Sequence, residues 1–210
     1  MNARIHGLQH EIQAMKSEVQ TLKNQRSNQG TTYIRWGRKT CPVANGTSLI
    51  YGGIVGGRYF TDTNGGVNTL CLPHNPDPAP TSLPIFSYSG RVFGAEYQFS
   101  FKDVGINDDV PCAVCMTAHA ASSIMIPAKV SCPQYWTKEY DGFLTSGAHF
   151  QGHTSTEFLC MDSSPEYLTE GARQHDNDGR LFYSVEAKCG SLPCPPYKDT
   201  ELLSCVVCAL

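Results

Sequence analysis

Ten cysteines in a chain of 210 residues offer the first choice of chemistry, and their spacing narrows it. Cys41-Pro42, Leu70-Cys71-Leu72 and Cys112-Ala113-Val114-Cys115 are followed, in the same order, by Cys132-Pro133, Leu159-Cys160-Met161 and Cys205-Val206-Val207-Cys208. Three chemistries suit such residues: structural disulfides, a four-thiolate zinc site, or thiol–disulfide exchange. Zinc held by the two CxxC pairs would strand Cys41, Cys71, Cys132 and Cys160, which match in pairs within their own sets. A redox CxxC wants a helix N-terminus to lower a thiol pKa, whereas Val114 and Val206-Val207 read as buried strand. Disulfides are therefore expected, and with them an oxidising compartment. Cys41 and Cys71 should pair with Cys112 and Cys115, and Cys132 and Cys160 with Cys205 and Cys208, each in either order. Cys189 and Cys194, found in the second set only, should close their own small loop around Gly-Ser-Leu-Pro.

Other side chains invite narrower readings. Asp176-Asn177-Asp178-Gly179 reads first as a solvated turn; as the alternative, its two carboxylates before a glycine have a spacing that suits calcium. Asp108-Asp109 is a weaker version of the same. Glu96 and Glu186 follow aromatic-rich stretches at matched positions, and a buried carboxylate there would need a partner such as Arg35, Arg38 or Arg91. Trp36, Trp136 and the tyrosines could stack on sugar rings or simply pack a core. His149 and His153 lie beside Gly147 and Gly152, which argues for a loop rather than a metal-binding helix face. Asn45-Gly46-Thr47 is a glycosylation sequon. No G-x-S-x-G or H-E-x-x-H motif is present, so an enzyme is not expected.

These residues must be carried by something, and the sequence describes two kinds of element. Ile5, Leu8, Ile12, Met15, Val19 and Leu22 are spaced as the a and d positions of a coiled coil, with Glu11 and Glu18 at g and Lys16 and Lys23 at e. Residues 1–26 are thus expected to be an oligomerisation helix, and 27–32 a polar linker. β-branched a positions with Leu at d lean toward a dimer. Arg4-Ile5-x-x-Leu8-Gln9 resembles a trimer-specifying pattern, and a homotrimer is favoured on that ground. From Tyr33 onward, short β-rich runs alternate with Gly and Pro turns, as in Tyr97-Gln98-Phe99-Ser100-Phe101 and Leu181-Phe182-Tyr183-Ser184-Val185. The expected fold is all-β: a disulfide-rich tandem repeat with lobes at 33–116 and 117–210, preceded by the coiled coil. A Tyr-x-Gly motif recurs after each Cys-Pro, at Tyr51 to Gly53 and Tyr140 to Gly142. Pro76, Pro78, Pro80 and Pro84 mark an irregular loop.

Charge and hydropathy exclude some partners. A net charge of −3 leaves no electrostatic footprint for nucleic acid. No run approaches the length of a membrane span. Met1 opens into a polar segment without an apolar signal core, so the sequence is expected to be an incomplete or trimmed form of a longer secreted chain.

Tyr33-Ile34-Arg35-Trp36-Gly37-Arg38, Leu70-Cys71-Leu72-Pro73, Gly94-Ala95-Glu96-Tyr97, Asp109-Val110-Pro111-Cys112-Ala113-Val114-Cys115 and Cys189-Gly190-Ser191-Leu192-Pro193-Cys194-Pro195-Pro196-Tyr197 resemble the C-terminal domain of short-chain, spongin-like collagens and related secreted proteins of marine invertebrates. The resemblance extends over 33–210. More distantly, the doubled Cys-Pro and Tyr-x-Gly plan is similar to the non-collagenous domain of basement-membrane collagen. Both imply an extracellular, oligomeric end domain. The chain has no Gly-X-Y run, and a coiled coil stands where a triple helix would. The expected function is a secreted, non-enzymatic matrix or adhesion protein that binds a matrix protein or an extracellular glycan. The alternative is a multivalent, calcium-dependent, galactose-type lectin.

Overall fold

The computed structural model describes residues 2–27, 30–43, 46–80, 89–118, 120–168 and 176–210; Asn45 and its sequon lie outside them. The protein is mostly β-sheet, with one N-terminal helix and five disulfides. Helix α1 (Asn2–Ser27) carries the heptad residues. Ile5, Leu8, Ile12, Met15, Val19 and Leu22 are all exposed, so the seam is not used against the chain's own β-sheet.

Among the described residues ten strands follow in two sets. The first is β1 (Gly30–Trp36), β2 (Thr47–Gly57), β3 (Leu70–Pro73), β4 (Phe93–Tyr97) and β5 (Pro111–Ala118). The second is β6 (Ser123–Pro127), β7 (Thr137–Ser146), β8 (Leu159–Asp162), β9 (Arg180–Ser184) and β10 (Ser204–Ala209). Gly30, Thr31 and Thr32, read from sequence as linker, belong to β1, where they pair with Ala118, Thr117 and Met116. The polar Thr pair misled there, because threonine suits a strand as well as a hinge.

Pairing follows one plan in both sets. The CxxC strand is central: β1 and β2 flank β5, and β6 and β7 flank β10, all antiparallel. Outside them β3 pairs with β2, and β8 with β7. Each plan also has a bulge at the matched place, at Ile50 of β2 and Glu139 of β7. The Tyr-x-Gly motif has a physical basis. Tyr51 Oη donates to Cys71 O at 3.0 Å and Tyr140 Oη to Cys160 O at 3.0 Å, each reaching over the glycine to the neighbouring strand. A Cβ on Gly53 would overlap the Leu72 carbonyl, and one on Gly142 the Met161 carbonyl, so only glycine lets these strands approach.

The disulfides lie within the sets. Cys41–Cys115 and Cys71–Cys112 fasten the first; Cys132–Cys208 and Cys160–Cys205 fasten the second; Cys189–Cys194 closes a local loop. Their Cα–Cα distances are 5.6–5.9 Å, inside the ordinary range. No cysteine is free.

The sets are not separate lobes with separate interiors. Trp36, Val55, Tyr97 and Val110 of the first pack with Leu159, Met161 and Phe182 of the second in one core. A second cluster mixes Tyr33, Ala113 and Cys115 with Tyr140, Leu144, Cys205 and Val207. Two parallel contacts join the sets: Trp36 opposite Met161 on β1 and β8, and Ala95 to Tyr97 opposite Arg180 to Phe182 on β4 and β9. No helix among the described residues is long and apolar enough to cross a membrane.

Candidate functional site

The β4–β9 junction gathers the titratable chemistry. β4 lies along the far end of β2, where Gly94 and Phe93 pair with Gly56 and Gly57. That position, with the parallel pairing to β9, brings Glu96 against the turn that leads into β9. Asp178 sits in the left-handed region at φ 56°, which aspartate tolerates better than most residues. Gly179 follows at φ 133°, and a Cβ there would strike the Gly94 carbonyl. Phe60 N–H donates to Gly179 O at 2.8 Å and Tyr59 Oη to Asp178 Oδ2 at 3.3 Å, so the turn is also held by the segment that follows β2.

Asn177 N–H donates to Glu96 Oε1 at 3.2 Å, so the carboxyl faces the turn between the two aspartates. Glu96 is 2% exposed, and its Oε2 has no hydrogen-bond partner among the described residues. Glu96, Asp176 and Asp178 each offer one oxygen, and these oxygens lie within 4.8 Å of one another. Burial pushes the Glu96 carboxyl up to about 7. The Asn177 amide opposes that shift, while Asp109, Asp178 and Asp176 add to it. The neighbouring Tyr59 phenol is also raised, by burial and then by Asp178.

The arginine partners expected for Glu96 are engaged elsewhere. Arg35 pairs with Asp162 at 2.7 Å and Arg38 with Glu166 at 3.3 Å. Among the described residues no cationic side chain forms an ion pair with Glu96, Asp176 or Asp178. Glu186, the matched carboxylate, is exposed. Asp108 instead caps a local turn, where its Oδ2 accepts from Gly105 N–H at 2.8 Å.

An aromatic group borders the acidic turn. Tyr59 stands 5.0 Å from Phe93 and 4.8 Å from Phe60; His153 joins Phe60, Phe150 and Tyr183 at 4.9, 4.3 and 5.6 Å between ring centroids. Phe150 is 52% exposed, so the group reaches the surface. Of the tryptophans, Trp36 is in the core and Trp136 is half-buried. Sequence reasoning singled out His149, His153 and the aspartates separately, and missed that Glu96 and residues 59–60 meet them. The available signal was a lone carboxylate between Ala95 and Tyr97 in a strand whose other neighbours are apolar.

A different buried carboxylate sits where the sets meet. Glu139, the bulge residue of β7, accepts from Tyr33 Oη at 2.9 Å and Thr47 Oγ1 at 3.2 Å. This pins β7 to β1 and β2, and burial together with Glu139 raises the Tyr33 pKa.

Compared with known proteins, the chain matches no protein-family model and no curated protein.

Proposed function

We propose that this is a secreted, non-enzymatic, homo-oligomeric protein of the extracellular matrix or of cell adhesion. An N-terminal coiled coil gathers the chains, three in preference to two, and each carries a disulfide-locked head built from a tandem repeat. The observation that carries this reading is the combination, in one chain, of a fully exposed a/d seam and a head whose ten cysteines are all cross-linked. An apolar stripe with two residues in seven is the pattern of a helix that meets copies of itself, since a helix packed on its own domain needs a wider face. The identical pairing plans of β1–β5 and β6–β10 support the tandem repeat. The likeness of 33–210 to the ends of short-chain collagens supports the extracellular role. Assembly would multiply weak single-head contacts by avidity, on the order of 10²–10⁴.

Light scattering on the full chain and on a chain lacking residues 1–29 tests assembly. The expected masses are a trimer and a smaller species, and an identical monomer mass for both refutes it. Adhesion to cells or matrix should fall with the loss of residues 1–29, and unchanged adhesion removes the multivalent mechanism.

A second reading, a calcium-dependent lectin, is favoured by one observation: the surface-reaching rings from Tyr59 to Tyr183 stand beside the acidic turn. Aromatic faces of this kind stack on the apolar faces of pyranose sugars. A glycan array probed with and without chelator distinguishes the two, because sugar binding lost on chelation sinks the purely structural role.

A further inference from the structure

We infer that Glu96, Asp176 and Asp178 form a divalent-cation site of calcium class, and that the bound ion clamps the two strand sets together at β4 and β9. The sequence alone pointed only to the aspartate turn. The third ligand comes from 80 residues upstream, on a strand of the other set.

The oxygens of Glu96, Asp176 and Asp178 lie within 4.8 Å of one another, close enough to converge on one cation. Three protein carboxylates suit calcium, whereas magnesium dehydrates reluctantly and is usually held by one or two carboxylates with several waters. The donors are all hard oxygens, as a hard cation requires.

A cluster of acids on a surface turn means little, and Glu96 is what distinguishes this one. Its side chain is almost completely buried, it is directed at the turn by the Asn177 amide, and Oε2 is left without a donor. Buried carboxylate oxygens are normally paired, so this one calls for an ion or a proton. A proton would satisfy Glu96 alone. It would not account for Asp176 and Asp178 converging on the same point with no cationic side chain paired to them among the described residues. Asp176 is exposed and gives the ion an open approach.

The clamp would act where no disulfide does, because every disulfide lies within one set. The ion would bind whether or not the chains assemble and whatever the head holds.

The test uses the full chain, stripped with EDTA, dialysed, and titrated with calcium chloride by calorimetry. Thermal unfolding is followed in parallel, and magnesium chloride serves as the size control. One calcium per chain should bind with Kd on the order of 0.1–1 mM, the range of extracellular modules. Tm should rise by about 3–6 °C at ten times Kd. Glu96→Gln and Asp178→Asn should each weaken binding at least about 10-fold. Asp176→Asn, at an exposed position that the fold tolerates, should do the same and decides the matter if the other two misfold. No calcium heat or Tm shift in the wild-type chain at about 10 mM overturns the site. So does Asp176→Asn binding calcium like the wild type. Magnesium binding as tightly as calcium overturns the calcium class.

Discussion

Tyr140 and Tyr51 hold the same position relative to Cys160 and Cys71, and comparison of their phenylalanine variants isolates the effect of burial. Tyr140 Oη lies 3.0 Å from both Cys160 O and Ile34 O, so a single proton is shared between carbonyls of β8 and β1. The residue is 5% exposed, and burial raises the phenol pKa, which keeps it a neutral donor. Tyr140→Phe strips that donor from buried carbonyls that water cannot easily reach, at a cost of about 1–3 kcal/mol. For a chain of this size a 2 kcal/mol loss lowers Tm by about 4–8 °C. Tyr51 donates to Cys71 O at the same 3.0 Å but is 36% exposed, and β3 is an edge strand. Water can replace the lost hydroxyl there, so Tyr51→Phe should stay within about 0.5 kcal/mol. The assay is calorimetric unfolding of oxidised protein at one scan rate, with thiol titration to confirm that all disulfides are intact. Equal losses for the two variants, or a larger loss for Tyr51→Phe, would show that the motif acts through something other than buried hydrogen bonding.

The remaining disulfide, pH and junction effects can be ranked in the same way. Removing Cys41–Cys115, with a sequence separation of 74, should cost about 4–5 kcal/mol on loop-entropy grounds, against about 2 kcal/mol for Cys189–Cys194, with a separation of 5. Paired Cys→Ala variants compared by denaturant midpoint check the order. Glu96, buried and faced by Asp109, Asp178 and Asp176, has a folded pKa raised above its unfolded value of about 4.3. The folded state therefore holds its proton longer, and in EDTA stability should fall as pH rises from about 4.3 to about 7. Urea midpoints across that window should lose this slope in Glu96→Gln, and an unchanged slope would assign it to another group. Glu139→Ala leaves the Tyr33 and Thr47 hydroxyls without their acceptor and should cost about 1–3 kcal/mol by the same unfolding assay.

The cysteine pairs were legible because disulfide spacing, Cys-Pro and CxxC survive in the primary structure, and a repeat restricts the partners without further information. The order within each set was not. Cys115 faces Cys41 rather than Cys71 because β5 runs antiparallel between β1 and β2, and that follows from the sheet register, not from the intervals. Asp176 and Asp178 were visible as a local turn. Glu96 was visible only as a carboxylate in an aromatic strand, because its partnership depends on the parallel β4–β9 contact. Parallel pairs carry no hairpin signal, so nothing in the sequence announces them. The shared core was hidden for the same reason: Trp36 meets Met161, and Tyr97 opposes Phe182, across contacts that the repeat does not predict.

That core sits on a boundary with no disulfide across it. All five disulfides close within β1–β5 or within β6–β10 and its loops. What crosses includes the packed interior, the Arg35–Asp162 and Arg38–Glu166 ion pairs, the Tyr33–Glu139 and Tyr140–Ile34 hydrogen bonds, and the parallel β1–β8 and β4–β9 contacts. The chain itself crosses once, between Ala118 and Ser123. A protease site placed at the exposed Ala121-Ser122 step should therefore have two different consequences. Under native conditions the cut halves should elute together, held by the shared core. In denaturing gels without reductant they should separate, each retaining its own cross-links. Halves that remain joined until reductant is added would require a disulfide across the boundary. Halves that fall apart under native conditions would mean that the mixed clusters around Trp36 and Tyr140 contribute too little to hold the sets together.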